Sequence, residues 1–84
     1  MTKREKLIDD HKYCTSNKKD LFKSEFCGCF YCLTIFKPHE INMWINDKNG
    51  KTAVCPYCCI DSVLPGSKVE LSEEFLKEIK DVWF

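Results

Sequence analysis

Six of the seven cysteines in this chain stand in two short clusters, CGCFYC at residues 27–32 and CPYCC at residues 55–59. A thiol can act as a nucleophile, pair as a disulfide or, once deprotonated, ligate a metal. Spacing decides among these. Two residues separate Cys29 from Cys32 and Cys55 from Cys58, and 22 residues lie between the pairs. A two-residue gap lets a tight turn aim both sulfurs at one point, where the turn's N–H groups offset their negative charge. Two such turns close a tetrahedron, so Cys29, Cys32, Cys55 and Cys58 are predicted to ligate one metal ion.

Cys27 competes with Cys29, because Cys27 and Cys32 have a permitted four-residue gap, and Cys59 competes with Cys58. The mirrored two-residue gaps give two like turns and favour Cys29 and Cys58. Cys14, Cys27 and Cys59 then remain as small, partly buried apolar side chains. The sharper alternative for Cys27 or Cys59 is exchange onto the metal during a redox event. A closed four-thiolate site has no open position for water, so its expected occupant is a single structural Zn2+. Spacing alone does not separate zinc from iron, and the same paired CxxC pattern occurs in rubredoxins, where iron transfers electrons. Cys55-Pro56-Tyr57-Cys58 also spells a glutaredoxin active site. That chemistry needs a thioredoxin-like frame with a helix starting at the motif, and the 26 residues after Cys58 cannot build one.

CGCFYCLTIFKPHEINMWI, TAVCPYCCIDSVLPG and the terminal EFLKEIKDVWF resemble a family of short bacterial and phage-borne proteins labelled only as cytoplasmic. The family pattern runs CGCFYC, a Trp-bearing helix, CPYCGIDSV and a C-terminal helix ending in aromatic residues. The resemblance covers residues 26–84. The second cluster is also similar to the CPxCG knuckle of zinc ribbons. Cys59 stands where such knuckles have Gly, a residue suited to φ > 0. The resemblance implies the metal site and a cytoplasmic setting, and no reaction.

Other catalytic constellations are missing. His39 and His11 read as surface residues, and no His follows Cys59 to complete a nuclease-like site. Asp61-Ser62 reads as a turn held by an Asp side chain. No Gly-rich phosphate loop or Ser-His-Asp set is recognisable, so the chain is not expected to be an enzyme. Formal charge is zero overall, and runs +2 over residues 1–25, +1 over 26–60 and −3 over 61–84. Nucleic-acid binders carry a strongly basic face, which this distribution does not suggest.

The elements that must position the cysteines are short. The whole chain, 1–84, reads as one zinc-binding domain: a polar, partly helical segment at 1–25, a metal module at 26–60 and a helix at 68–84. Leu7, Ile8 and His11 share one face of a first helix. Ser16 or Asn17 caps a second through NKKDLFKSEF, anchored by Leu21, Phe22 and Phe26. LTIF at 33–36 is a strand. Pro38 opens a helix, PHEINMWIN, in which Ile41, Trp44 and Ile45 recur at helical spacing. Asn49-Gly50 is a turn, TAV at 52–54 a strand, and Leu64-Pro65-Gly66 a turn. Ser72 caps a last helix whose stripe is Leu71, Phe75, Ile79, Val82 and Trp83. The expected fold class is small α+β: a zinc ribbon-like two-knuckle core with short strands and packed helices.

MTKREKLIDDHK carries no apolar core of a signal peptide, and no apolar run approaches the roughly 20 residues of a membrane span. Together with free CxxC pairs this reads as a cytoplasmic protein in a reducing compartment. The expected function is that of a protein-binding adaptor or regulator, including an inhibitor. The alternative is a nucleic-acid-binding ribbon that uses the knuckle aromatics Phe30, Tyr31 and Tyr57 with the N-terminal lysines. A rubredoxin-like electron carrier or metal-dependent enzyme ranks behind both. The knuckle aromatics are expected to shield the sulfurs, and Trp83-Phe84 to be pinned to the domain.

Overall fold

The computed structural model describes residues 3–47 and 50–84. Helix α1 (Lys3–Asp10) runs into a 3-10 turn (His11–Cys14) and a one-turn helix α2 (Lys18–Phe22). Strand β1 (Cys27–Cys29) follows, then β2 (Ile35–Phe36), a 3-10 turn (Pro38–Glu40), β3 (Trp44–Asp47), β4 (Gly50–Ala53), β5 (Val63–Pro65) and helix α3 (Glu73–Trp83). Strand β1 is central in an antiparallel sheet of order β2-β1-β5, and β3-β4 form a separate antiparallel hairpin. The fold is small, α+β and zinc ribbon-like, with four cysteines gathered into one cluster.

Strand β1 is buried on both faces, and its three residues divide the core. Cys27 and Cys29 pack with Leu21, Phe36, Ala53, Cys55 and Val63. Gly28 lies against α3: a Cβ there would stand 3.1 Å from Leu76 and 3.2 Å from Leu71. The helix approaches the strand closely because that position has no side chain. Leu76 and Ile79 of α3 join Leu7, Phe30, Leu64 and Val69 in the second half of the core. Ser72 starts α3 by accepting the Phe75 N–H at 3.0 Å, and Glu73 and Glu74 sit at its positive end. Gly66 is required at the end of β5, since a Cβ would come 2.4 Å from the Phe26 carbonyl oxygen.

Asn17 ties the layers together. Its amide donates to the carbonyls of Tyr13 at 3.0 Å and Val63 at 2.8 Å, and its oxygen accepts the Ala53 N–H at 3.1 Å. One buried side chain thus joins the N-terminal turn, the sheet and the hairpin. Its hydrogen bonds go to other segments, so it stands before α2 without capping it.

Several expectations need correction. The helix across PHEINMWIN is absent: one 3-10 turn follows Pro38, and Trp44 and Ile45 belong to β3, paired with Ala53 and Thr52. A short apolar run suits either period, and the long-range ladder with β4 decides in favour of a strand. Helix α2 ends at Phe22, and Phe22 and Phe26 are exposed while Leu21 is buried, because the chain must turn into β1. Leu64 and Pro65 pair with Gly28 and Cys27 in β5, so the turn begins only at Gly66. Ile8 is exposed, whereas Leu7 is buried. His11 stacks on Trp83 with ring centroids 3.8 Å apart, and Phe84 packs on Phe30 and Tyr31, so the C-terminal aromatics are pinned as expected. Leu76, missing from the anticipated stripe, is fully buried in α3. The expected turn at Asn49-Gly50 falls partly on residue 49, outside the described residues.

Replacing Asn17 by Ala strands the Ala53 N–H and the Val63 carbonyl in the core. Loss of about 2–4 kcal/mol of stability is expected, read from denaturant unfolding of metal-loaded protein. An unchanged midpoint would show that the layers are held some other way.

Candidate metal centre

Two turns of the same construction carry the cysteine pairs. In the first, Leu33 N–H donates to Cys29 C=O at 2.9 Å and Cys29 N–H to Thr34 C=O at 3.0 Å. In the second, Cys59 N–H donates to Cys55 C=O at 2.9 Å and Cys55 N–H to Ile60 C=O at 3.0 Å. Tyr31 N–H points at Cys29 Sγ and Tyr57 N–H at Cys55 Sγ, each at 3.4 Å. The residue after each second cysteine takes a left-handed conformation, Leu33 at φ 66° and Cys59 at φ 64°. Cys59 therefore keeps the backbone that Gly adopts in such knuckles, at a cost of about 1–2 kcal/mol for a residue with a Cβ. Strand pairing of β1 with β2 and β5 holds the first turn, and the hairpin strand β4 leads into the second.

The sulfurs of Cys29, Cys32, Cys55 and Cys58 all lie within 4.8 Å of one another. Cys29 and Cys58 are 3.5 Å apart and Cys32 and Cys55 3.7 Å, well beyond a disulfide bond. A tetrahedron with metal–sulfur bonds of about 2.3 Å has sulfur–sulfur edges of about 3.8 Å, so the set fits one ion. Cys29 and Cys55 are buried, and Cys32 and Cys58 are partly so.

Charge explains why such a cluster calls for a cation. Two thiolates about 4 Å apart repel by about 4 kcal/mol even at an effective dielectric of about 20. Six such pairs exceed the roughly 5–15 kcal/mol that stabilises a typical domain. Without a counter-charge the thiols must keep their protons, and burial pushes Cys55 up to about 11 and Cys58 higher still. Cys32 goes the other way: burial raises it, but hydrogen bonds with the Thr34 hydroxyl and N–H together with those to Cys29 and Cys55 bring it to about 7. A bound cation would replace the protons and favour the thiolates.

Ser62 was not singled out as part of the site, yet its hydroxyl lies 3.0 Å from Cys29 Sγ and is buried. Its signal in the sequence was only its place three residues beyond the second cluster. Among the described residues the neighbouring Asp61 makes no hydrogen bond, so an Asp-held turn is replaced by a Ser–sulfur contact. The remaining thiols stand apart from the four. Cys27 is buried, donates to Phe36 C=O at 3.5 Å and is pushed up to about 12, chiefly by burial and by Cys55 nearby. Cys14 is buried 3.8 Å from His11 Nε2 and is raised to about 11, mainly by burial. Cys59 is exposed. Of the knuckle aromatics, Phe30 is buried as a shield should be, whereas Tyr31 and Tyr57 are exposed; Tyr57 donates to Glu40. His39 is exposed, but His11 is partly covered by Trp83.

Fold and site together define a small α+β protein with two cysteine knuckles facing one ion-sized space. The chain matches no family model, no curated protein and no solved structure.

Alanine at Cys29, Cys32, Cys55 or Cys58 is expected to abolish stoichiometric metal in native mass spectra, while alanine at Cys27 or Cys14 leaves it. Retention by Cys29→Ala with loss by Cys27→Ala would transfer the ligand role to Cys27. Cys59→Gly should relieve the left-handed strain and raise stability by up to about 1 kcal/mol without changing metal content. Ser62→Ala should weaken metal affinity about 10- to 100-fold in a chelator competition.

Proposed function

We propose that this chain is a non-catalytic protein-binding module, an adaptor or regulator, folded around one structural Zn2+ held by Cys29, Cys32, Cys55 and Cys58. The observation that supports the reading is the sulfur tetrad, four ligand atoms within 4.8 Å of one another; a tetrahedral ion held by all four would have no open position for substrate or water. Zinc is the favoured ion because a tetrahedral four-sulfur shell suits it and requires no redox role. Binding it would contribute on the order of 10–16 kcal/mol to folding, more than a core of this size supplies. Seven unpaired cysteines suit a reducing compartment, and a cytoplasmic setting is part of the proposal. No helix among the described residues is long and apolar enough to cross a membrane.

The surface supports a binding role. Phe22 is 69% exposed, Met43 58%, Tyr57 57% and Ile45 47%. Such residues are enriched at the centres of protein interfaces. A nucleic-acid-binding ribbon is the second reading, favoured by Lys18 lying over the rings of both Phe22 and Trp44.

Purified protein is expected to be colourless, to carry one zinc by native mass, and to lose its dispersed amide spectrum when a strong chelator strips the ion under reducing conditions. A red protein that bleaches on reduction would indicate an iron electron carrier instead. Tagged zinc-loaded protein should retain a specific protein from host lysate after nuclease treatment. Retention of nucleic acid with steep salt dependence would favour the second reading.

A further inference from the structure

The β3-β4 hairpin is completed on one side and open on the other. Its register sets Trp44 opposite Ala53 and Ile45 opposite Thr52, and Val54 N–H donates to Met43 C=O at 3.1 Å. Antiparallel alternation then makes Met43–Val54 and Ile45–Thr52 hydrogen-bonded pairs, and Trp44–Ala53 and Asn46–Lys51 non-bonded ones. Backbone groups at non-bonded positions point out of the ladder. On the β4 side, Asn17 meets the outward Ala53 N–H at 3.1 Å. On the β3 side, Trp44 and Asn46 present theirs outward. Among the described residues β3 pairs with β4 alone, and no other segment hydrogen-bonds the backbone of Trp44 or Asn46.

Lysines from α2 and β4 stand on one face of the hairpin. Side chains alternate along a strand, so Trp44 and Asn46 share a face with Lys51, while Met43 and Ile45 share the opposite one. Over the Trp44 face, Lys18 Nζ stands 5.3 Å from the Trp44 ring centroid and 5.4 Å from that of Phe22. A cavity of about 310 Å³ between α2 and β4 is lined by Ser16, Lys18, Lys19, Phe22, Gly50 and Lys51. Among the described residues none of these three lysines pairs with a carboxylate. The other face offers Met43 and Ile45, both exposed.

We propose that an extended acidic segment of a partner protein docks here as a third strand against β3, with acidic and apolar side chains alternating. Its backbone would meet the outward groups of Trp44 and Asn46, its carboxylates the lysines, and its apolar residues Met43 and Ile45. This deepens the protein-binding reading and rests on it. A nucleic acid offers the strand edge no complementary backbone, and three lysines neutralise few phosphates.

The test uses the full zinc-loaded chain and a fluorescent octapeptide alternating Glu and Val. Its Lys-Val counterpart and an oligo-dT of similar length serve as the other arms. The Glu-Val peptide should bind saturably by anisotropy and slow amide exchange at Trp44 and Asn46. The double substitution Lys18→Glu/Lys51→Glu should weaken it by about tenfold or more. Asn46→Pro, which removes an outward donor and no ladder bond, should also weaken it, with metal content and melting of both variants checked. Equal binding of the Lys-Val peptide, indifference to the charge reversal, or tighter binding of oligo-dT overturns the proposal. So does edge protection arising from self-association without peptide. If the charge-reversed chain still retains the same protein from lysate as the unmodified chain, the acidic-strand proposal fails while the protein-binding reading survives.

Discussion

The convergence of four cysteine sulfurs within 4.8 Å governs the rest of this molecule. Left as thiolates the four would repel strongly, and left as thiols they would bury weak hydrogen-bonding groups for little return. A cation of tetrahedral preference bound there would turn the same geometry into a large stabilising term for so small a core.

The surrounding elements serve that convergence. Two knuckles repeat one set of backbone hydrogen bonds, and each requires a left-handed residue after its second cysteine. Neither Leu33 nor Cys59 is suited to that conformation, and the surrounding hydrogen bonds hold them in it. Asn17 links hairpin to sheet, and so connects the segment leading to Cys55 with the strand that flanks Cys29. Helix α3 closes the opposite side by resting on Gly28, between the two cysteines of β1. Each half of the core is therefore thin, and the shared strand β1 couples the metal site to the helical layer.

That economy leaves much apolar surface uncovered. The hairpin stands apart from the three-stranded sheet, with Asn17 finishing one of its edges and nothing among the described residues finishing the other. Exposed edges are usually guarded by charge, and here Lys18 lies over the Trp44 ring on one face while Met43 and Ile45 remain bare on the other. The C-terminal aromatics behave differently. Trp83 and Phe84 fold back onto His11, Phe30 and Tyr31, so they strengthen the first knuckle's side of the molecule.

The clustering of Cys29, Cys32, Cys55 and Cys58 was legible in the sequence because CxxC spacing is a local constraint: a two-residue gap suits a turn that aims both sulfurs together. The start of α3 was legible for the same reason, since Ser72 and the two glutamates act within a single turn. What followed Pro38 was not legible, because Ile41, Trp44 and Ile45 fit either period, and only pairing with residues 50–53 selects the strand. Ser62 at Cys29, Asn17 between layers and the exposure of Phe22 were equally hidden. Each depends on partners distant along the chain. By itself the sequence determined which sulfurs could be aimed in pairs, as that geometry is set by near neighbours. Only the tertiary structure decided which strands deliver them and which edge stays open, because those follow from long-range hydrogen bonds that no local pattern encodes.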